Sequence, residues 1–139
     1  MRTDVFDAAK RSAVMRAVKS SDTAPERAVR AAVRGLGYGR RYRLNGAGLP
    51  GKPDLVFRML GKAVFVHGCF WHGHDCARGA RMPKQNAAYW RTKIARNMAR
   101  DDAALKALHA AGWRALVVWE CETRDQAALS RKLASFLKR

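Results

Sequence analysis

The feature that most constrains the fold is a set of cysteine and histidine residues from two distant parts of the chain. Cys69, His74 and Cys76 lie within one short segment, and Cys121 directly follows an apolar run much later. A structural zinc ion takes four such ligands in a tetrahedron, and three cysteines do not form a disulfide framework. These four residues are a candidate Cys₃His zinc site, which would fasten a loop to the edge of a sheet.

The spacing leaves alternatives open at this site. His67 or His72 could replace His74 as the histidine ligand, or the three thiols could be ordinary buried residues with incidental histidines nearby. A histidine that the zinc does not use could act as a base, an acid or a charge stabiliser beside a phosphate.

The pattern of apolar residues predicts an α/β fold. A turn at residues 60–62 separates two short apolar runs, at residues 54–57 and 63–66, which together predict a β-hairpin. Further strands are predicted over residues 38–44 and 113–119. Four helices are predicted. The first covers residues 12–19, the second begins at the Thr23–Glu26 capping box and ends at Gly37, and the last two cover residues 86–111 and 123–137. The inward positions of the last three helices are Val29, Val33, Leu36, Trp90, Ile94, Met98, Leu105, Leu108, Leu129, Leu133 and Phe136. Because a strand that follows a long helix implies a crossover, we expect a central mixed β-sheet flanked by helices.

The net charge limits the class of partner. The chain has 28 Lys and Arg against 11 Asp and Glu, a formal charge of +17 that is spread from Arg2 to Arg139. Nucleic acid is the expected polyanion; an anionic membrane surface is the competing interpretation, but no segment joins an apolar stripe to a basic face. The longest apolar run, residues 115–119, is too short to span a membrane. We expect a cytoplasmic protein.

The few acidic residues indicate chemistry beyond binding. An acid within a surface that binds a polyanion needs a reason, and metal-dependent phosphodiester cleavage is one. Asp54, Glu26 and Asp101 are the candidates. Each has a plainer interpretation: Asp54 as a turn residue, Glu26 as the capping-box acid, and Asp101 as the ion-pair partner of Arg100 or Arg96.

Three aromatic residues have two interpretations. Phe70 and Trp71 lie within the cysteine-rich loop, and Trp90 lies near the start of the long helix. Large aromatic side chains usually pack in a core, but those on a fixed loop can also wedge between base pairs.

Longer segments carry a family resemblance. The Pro-Asp pair before the hairpin resembles the restriction-endonuclease-like fold, although the second strand offers Val66 and His67 where that fold usually has an acid and a lysine. The segments 49–57 (LPGKPDLVF), 65–72 (FVHGCFWH) and 112–121 (GWRALVVWEC) are similar to those of the very short patch repair (Vsr) DNA mismatch endonucleases. The resemblance covers residues 12–122, so we expect a flexible arm over residues 1–11 and a single Vsr-type endonuclease domain over residues 12–139.

The resemblance implies a Mg²⁺-dependent enzyme that nicks one DNA strand 5′ of the T in a T:G mismatch, the product of 5-methylcytosine deamination. Asp54 and the backbone carbonyl of Val66 would hold the Mg²⁺. His72 would be the general base or the group that positions the water, with Asp101 as the partner of its ring. Two further residues, Glu26 and His67, match active-site positions of the family. His67 could otherwise be a structural histidine at the end of a strand, with its ring nitrogens hydrogen-bonded. The structural zinc ligands match Cys69, His74, Cys76 and Cys121.

The resemblance also implies how the chain meets DNA. Phe70, Trp71 and Trp90 match the intercalating aromatics of the family. Three other residues match positions that read the mismatched region: Met15, Lys93 and Asn97. The partner is then double-stranded DNA with a T:G mismatch. We expect a monomer in the nucleoid, functionally linked to a cytosine-5 methyltransferase and to mismatch-repair proteins. A zinc-stapled binding module with no nuclease activity and a nuclease with no mismatch preference are the alternatives.

Overall fold

A four-stranded sheet forms the centre of the molecule. The computed structural model describes residues 23–46, 48–77, 79–80 and 82–138. The strands are β1 (Arg43–Leu44), β2 (Leu55–Phe57), β3 (Lys62–His67) and β4 (Arg114–Trp119), in the spatial order β1-β2-β3-β4. The pairs β1/β2 and β2/β3 are antiparallel, whereas β3 and β4 run parallel. The sheet is mixed, as predicted.

Helices cover both faces of this sheet. They are α1 (Ala24–Gly35), α2 (Ala87–Ala110) and α3 (Gln126–Leu137). α1 and α3 pack on one face, where their apolar residues share a core with alternate residues of β2, β3 and β4. That core contains Val29, Val33, Leu55, Phe57, Val64, Val118, Leu129, Leu133, Phe136 and Leu137. α2 packs against β4 from the other face and provides the crossover from β3 to β4. The α/β class and the flanked mixed sheet are confirmed, and this arrangement is consistent with the restriction-endonuclease-like fold.

Local signals fix several element boundaries. The N–H of Glu26 donates to Oγ1 of Thr23 at 3.4 Å, so the predicted N-cap of α1 is formed. The turn between β2 and β3 ends at Gly61, whose φ of 65° lies in the left-handed region that glycine adopts without a steric cost. The hairpin and the start of α1 therefore follow from short-range sequence.

Two predicted strand and helix boundaries are wrong. The strand predicted over residues 38–44 is reduced to β1, because the rings of Tyr38 and Tyr42 pack on Phe57 at 6.4 and 5.9 Å instead of alternating along a strand. α3 begins at Gln126 and not at residue 123, because the side chain of Asp125 accepts the N–H of Ala128 and caps the helix there.

One predicted core residue lies at the surface. Met98 is 48% exposed. Its turn of α2 faces the loop at Gly73, where a β-carbon would lie 2.5 Å from Sδ of Met98 and 2.9 Å from Cγ2 of Ile94. Met98 therefore covers that loop and does not reach the sheet.

Some expectations lie outside the described residues: the arm over residues 1–11 and the helix over residues 12–19. None of the helices in the described ranges is long and apolar enough to cross a membrane.

Candidate active site

A cavity of about 1110 Å³ opens where α1 begins, where β3 and β4 end, and along one side of α2. All the residues for which a catalytic role was predicted line it: Glu26, Asp54, His67, His72 and Asp101. So do Val66, Phe70, Trp71, Lys93 and Asn97, which were predicted to bind Mg²⁺ or DNA. These residues come from four separate segments of the chain and reach one cleft.

Asp54 lies directly before β2, and its carboxylate reaches across to β3. Oδ2 of Asp54 accepts the N–H of Val66 at 2.6 Å. The pKa of Asp54 is raised from its ordinary 3.8 to about 6. Burial is the main cause and the negative charge of Glu26 adds to the rise, whereas the hydrogen bond from Val66 lowers the pKa. The N–H and C=O of one residue in an extended strand point the same way, so the carbonyl of Val66 is directed to the side of Asp54. A carboxylate and a carbonyl oxygen are the kind of ligands that Mg²⁺ takes.

Glu26 lies both in the N-terminal cap of α1 and in the wall of the cavity. Its Oε2 accepts a hydrogen bond from Oγ1 of Thr23 at 2.8 Å, so it takes part in the cap of α1. It also lines the cavity close enough to Asp54 to affect the pKa of that carboxyl. The capping position of Glu26 and its predicted active-site position therefore coincide.

Two histidines and one aspartate form a close group at the end of β3. Nδ1 of His72 lies 2.6 Å from Oδ2 of Asp101, and Nδ1 of His67 lies 3.9 Å from the same oxygen. The two imidazole rings stack at 3.9 Å with an interplanar angle of 4°. Burial lowers the pKa of His67 to about 4, helped by the charge of His72 and opposed by that of Asp101. His67 is therefore neutral at pH 7.

The contact with Asp101 selects one tautomer of His72. An ionised carboxylate can only accept hydrogen bonds, so Nδ1 of His72 must donate. In the neutral ring this leaves Nε2 as the acceptor that can take a proton from water.

The four predicted zinc ligands form a second group. Single ligand atoms of Cys69, His74, Cys76 and Cys121 all lie within 4.8 Å of one another. Bonds of about 2.3 Å to sulfur and 2.1 Å to nitrogen would place two ligands of a tetrahedral zinc about 3.6 Å apart. Sγ of Cys121 and Nδ1 of His74 are 3.5 Å apart. The group therefore has the size of a zinc site, and it fastens the loop to the residues after β4.

The surroundings of this Cys₃His cluster favour a bound cation. Burial raises the pKa of the Cys69 thiol to about 12, and the thiols of Cys121 and Cys76 add to the rise. Three thiolates this close would repel one another, so the cluster could ionise only with a bound cation. The N–H of Gly79 donates to Sγ of Cys76 at 3.3 Å. A β-carbon at Gly79 would lie 2.0 Å from the carbonyl oxygen of His74, so only glycine allows this approach.

The three aromatic side chains pack edge to face beside the cavity. Ring centroids are 5.1 Å apart for Phe70 and Trp71, 5.8 Å for Phe70 and Trp90, and 5.6 Å for Trp71 and Trp90. Trp90 is only 4% exposed, whereas Phe70 and Trp71 are half-buried. Trp90 thus supports the two rings that reach the cavity.

α2 holds the aromatic loop through Asn97. Its Nδ2 donates to the carbonyl of Trp71 at 2.8 Å, and its Oδ1 accepts from Nη2 of Arg100 at 2.5 Å. Lys93 lies on the same side of α2 and also lines the cavity. Met15 lies outside the described residues.

The sequence of residues 3–78 matches the family model described as DNA mismatch endonuclease Vsr. The chain belongs to the Vsr family of DNA mismatch endonucleases. It is 46% identical to the type II nicking enzyme V.XorIIP of Xanthomonas oryzae pv. oryzae, over 97% of both chains. It is 39% identical to the DNA mismatch endonuclease Vsr of Escherichia coli, over 91% of this chain and 80% of that protein. The predicted family is confirmed, and with it the prediction of a DNA endonuclease, a hydrolase.

Two features of this Vsr-family site were missed from the sequence. Glu120 lines the cavity where β4 ends, near Gly68; an acid directly after an apolar strand, in a chain with eleven acids, was the available signal. Trp119 contacts the rings of His67 and His74, and no pattern in the sequence indicated that it does.

Proposed function

We propose that this Vsr-family chain nicks one strand of duplex DNA on the 5′ side of the T in T:G mismatches that arise from 5-methylcytosine deamination. The observation that carries the proposal is that Asp54, the His72–Asp101 pair and the Phe70–Trp71 wedge line one cavity. A group for metal binding, a group for proton transfer and an aromatic surface are thus within reach of one DNA strand.

Asp54 and the carbonyl of Val66 would hold a Mg²⁺ ion. The direction of that carbonyl and the crowding of Asp54 by Glu26 support this assignment, because a cation would relieve the repulsion between the two carboxylates. When bound, Mg²⁺ would stabilise charge on the attacked phosphate and on the leaving oxygen.

His72 is the proposed general base. Asp101 holds its Nδ1, so Nε2 can take the proton of the attacking water. The carboxylate also stabilises the imidazolium that results. His67 stays neutral, so its stacked ring adds no second positive charge beside the one that forms on His72.

Mismatch recognition is assigned to the aromatic side chains. A T:G pair is easier to unstack than a matched pair, so Phe70 and Trp71 would select it by deformability. Three residues are proposed to contact the mismatched region: Lys93, Asn97 and Met15. The basic side chains behind the net charge of +17 would bind DNA phosphates independently of base sequence. Intercalation by Trp90 itself stays a prediction, since its ring is buried beneath the others.

Zinc is the proposed metal of the Cys₃His cluster. We expect one tightly bound zinc per chain when purified protein is assayed for metals. A folded chain without zinc would contradict the assignment. Two zinc ions per chain would indicate that His67, His72 and Asp101, whose ligand atoms also lie within 4.8 Å of one another, hold a metal instead of transferring protons.

The role of Asp54 is tested by nicking of a labelled T:G duplex with Asp54→Ala and Asp102→Ala variants. Asp102 is exposed on α2 and pairs with Lys106 at 2.9 Å, so its loss controls for removing one negative charge. We expect Asp54→Ala to abolish Mg²⁺-dependent nicking while it still binds the duplex. Equal nicking by both variants would contradict the catalytic assignment, and no nicking by the unsubstituted chain would favour a binding module.

The remaining expectations concern partners and location. A monomeric state, a functional link to a cytosine-5 methyltransferase and to mismatch-repair proteins, and a cytoplasmic, nucleoid-associated location stay predictions.

A further inference from the structure

Trp119, the last residue of β4, lies between the Cys₃His cluster and the catalytic histidines. It is the register partner of His67 in the parallel pair of β3 and β4, so the two side chains emerge on the same face of the sheet. Its ring stacks on His74 at 4.1 Å with an interplanar angle of 12°. The same ring meets His67 edge-on at 5.3 Å and His72 at 6.5 Å.

The backbone of Trp119 is firmly held. Its N–H donates to Oε1 of Glu122 at 2.8 Å, which fixes the turn that follows β4. Lys132 of α3 donates to both carboxylate oxygens of Glu122 at 2.8 Å and to the carbonyl of Val117 at 3.1 Å. The position of the indole is thus set by α3 and the sheet together, independently of the catalytic residues.

The catalytic ring next to Trp119 has little polar support. Nδ1 of His67 is buried without a hydrogen-bond partner among the described residues, and it is 3.9 Å from Asp101, beyond hydrogen-bond distance. The plane of His67 is therefore fixed by three ring neighbours: His72 stacks on its face, Trp119 meets it at 72°, and Phe65 lies tilted against it at 5.6 Å. Edge-to-face contacts of this kind have a preferred geometry.

We propose that Trp119 is a positioning residue for the His67–His72 pair. It acts through His67: the indole sets the plane of the His67 ring, and the stacked His72 ring keeps its 2.6 Å contact with Asp101 as a result. The proposal rests on the proposed function, in that it takes His72 as the proton acceptor. Because the indole also stacks on His74, an ordered zinc site would help to keep the rings of His67 and His72 in place.

The test compares Trp119→Leu and Trp119→Phe with Trp113→Leu, the same substitution just before the other end of β4. Single-turnover nicking at saturating enzyme should fall about 10- to 100-fold in Trp119→Leu, because small misplacements of a catalytic group cost up to about 100-fold. The Kd for the T:G duplex should change less than about twofold, which is about 0.4 kcal/mol. Trp119→Phe should recover most of the rate, since it keeps an aromatic edge, and Trp113→Leu should match the unsubstituted chain.

A second readout needs neither DNA nor activity. The imidazole Hε1 resonances of His67 and His72 should move in Trp119→Leu by more than the lost ring current of the indole accounts for, and they should stay in place in Trp113→Leu, with one zinc per chain in both. Resonances in Trp119→Leu that move by no more than the lost ring current would overturn the proposal, and so would rate losses that follow loss of zinc equally in the Leu and Phe variants. If no protein nicks DNA, the proposed function fails, and the resonances still decide whether Trp119 positions the two rings.

Discussion

The substitution Asp54→Asn should make the metal-free protein more stable at neutral pH while it removes catalysis. Burial and the charge of Glu26 raise the pKa of Asp54 from 3.8 to about 6, so the folded chain binds the proton more tightly than the unfolded chain. Folding stability is therefore lost as the pH rises from about 4 to about 6, and the cost is constant above that range. The difference between 3.8 and about 6 corresponds to about 3 kcal/mol of the free energy of unfolding.

The assay is urea unfolding of both proteins in Mg²⁺-free buffer at pH 4 and pH 7. We expect Asp54→Asn to exceed the unsubstituted chain by about 3 kcal/mol at pH 7 and by only about 0.5 kcal/mol at pH 4, because asparagine keeps an oxygen for the N–H of Val66 but carries no charge. Asp102→Asn, at an exposed position, should shift stability by less than about 0.5 kcal/mol at either pH. A stability gain that is the same at both pH values, or no gain, would refute the assignment of Asp54 as a strained, partly buried carboxylate.

Three further substitutions separate catalysis, the metal site and the core. Asp101→Asn should slow single-turnover nicking about 10- to 100-fold, the value of a charge-assisted hydrogen bond, with duplex binding unchanged; a rate equal to that of Asp102→Asn would argue against it. Gly79→Ala should release zinc, because the new methyl group would meet a backbone carbonyl of the Cys₃His cluster at 2.0 Å, whereas Gly35→Ala, with open space around it, should retain zinc in the same metal assay. Lys62→Met should lower the urea-derived stability by about 2–3 kcal/mol, because Nζ donates to two C-terminal carbonyls of α3 at 2.7 and 3.0 Å; undiminished stability would show that these bonds only offset the burial of the charge.

Short-range signals explain what the sequence predicted well. The capping box at Thr23, the hairpin turn at Gly61 and the apolar runs of β3 and β4 each depend on a few adjacent residues. The mixed sheet was predicted from the order of these elements, since a long helix between two strands favours a parallel crossover. Periodicity alone placed Met98 in the core, because it does not report what lies opposite each turn of a helix.

The site required knowledge of how distant segments meet. Spacing left His67, His72 and His74 as alternative zinc ligands; the loop folds so that His74 approaches Cys121, while the other two stack beside Asp101. Side-chain contacts between separate elements leave no periodic trace in a sequence. For the same reason, neither the burial of Lys62 beneath the end of α3 nor the contacts of Trp119 could be predicted.

The most direct test of the proposed function is to map the cut in a duplex with one T:G pair. Each strand is end-labelled in turn, and a duplex with C:G at the same position is the control, both with and without Mg²⁺. We predict a single Mg²⁺-dependent nick immediately 5′ of the mismatched T and none in the other strand. The C:G duplex should be cut at least about fivefold more slowly, since each mismatched pair typically changes specific binding by about 1–3 kcal/mol. Cutting of both strands, or equal rates on the T:G and C:G duplexes, would contradict the proposal.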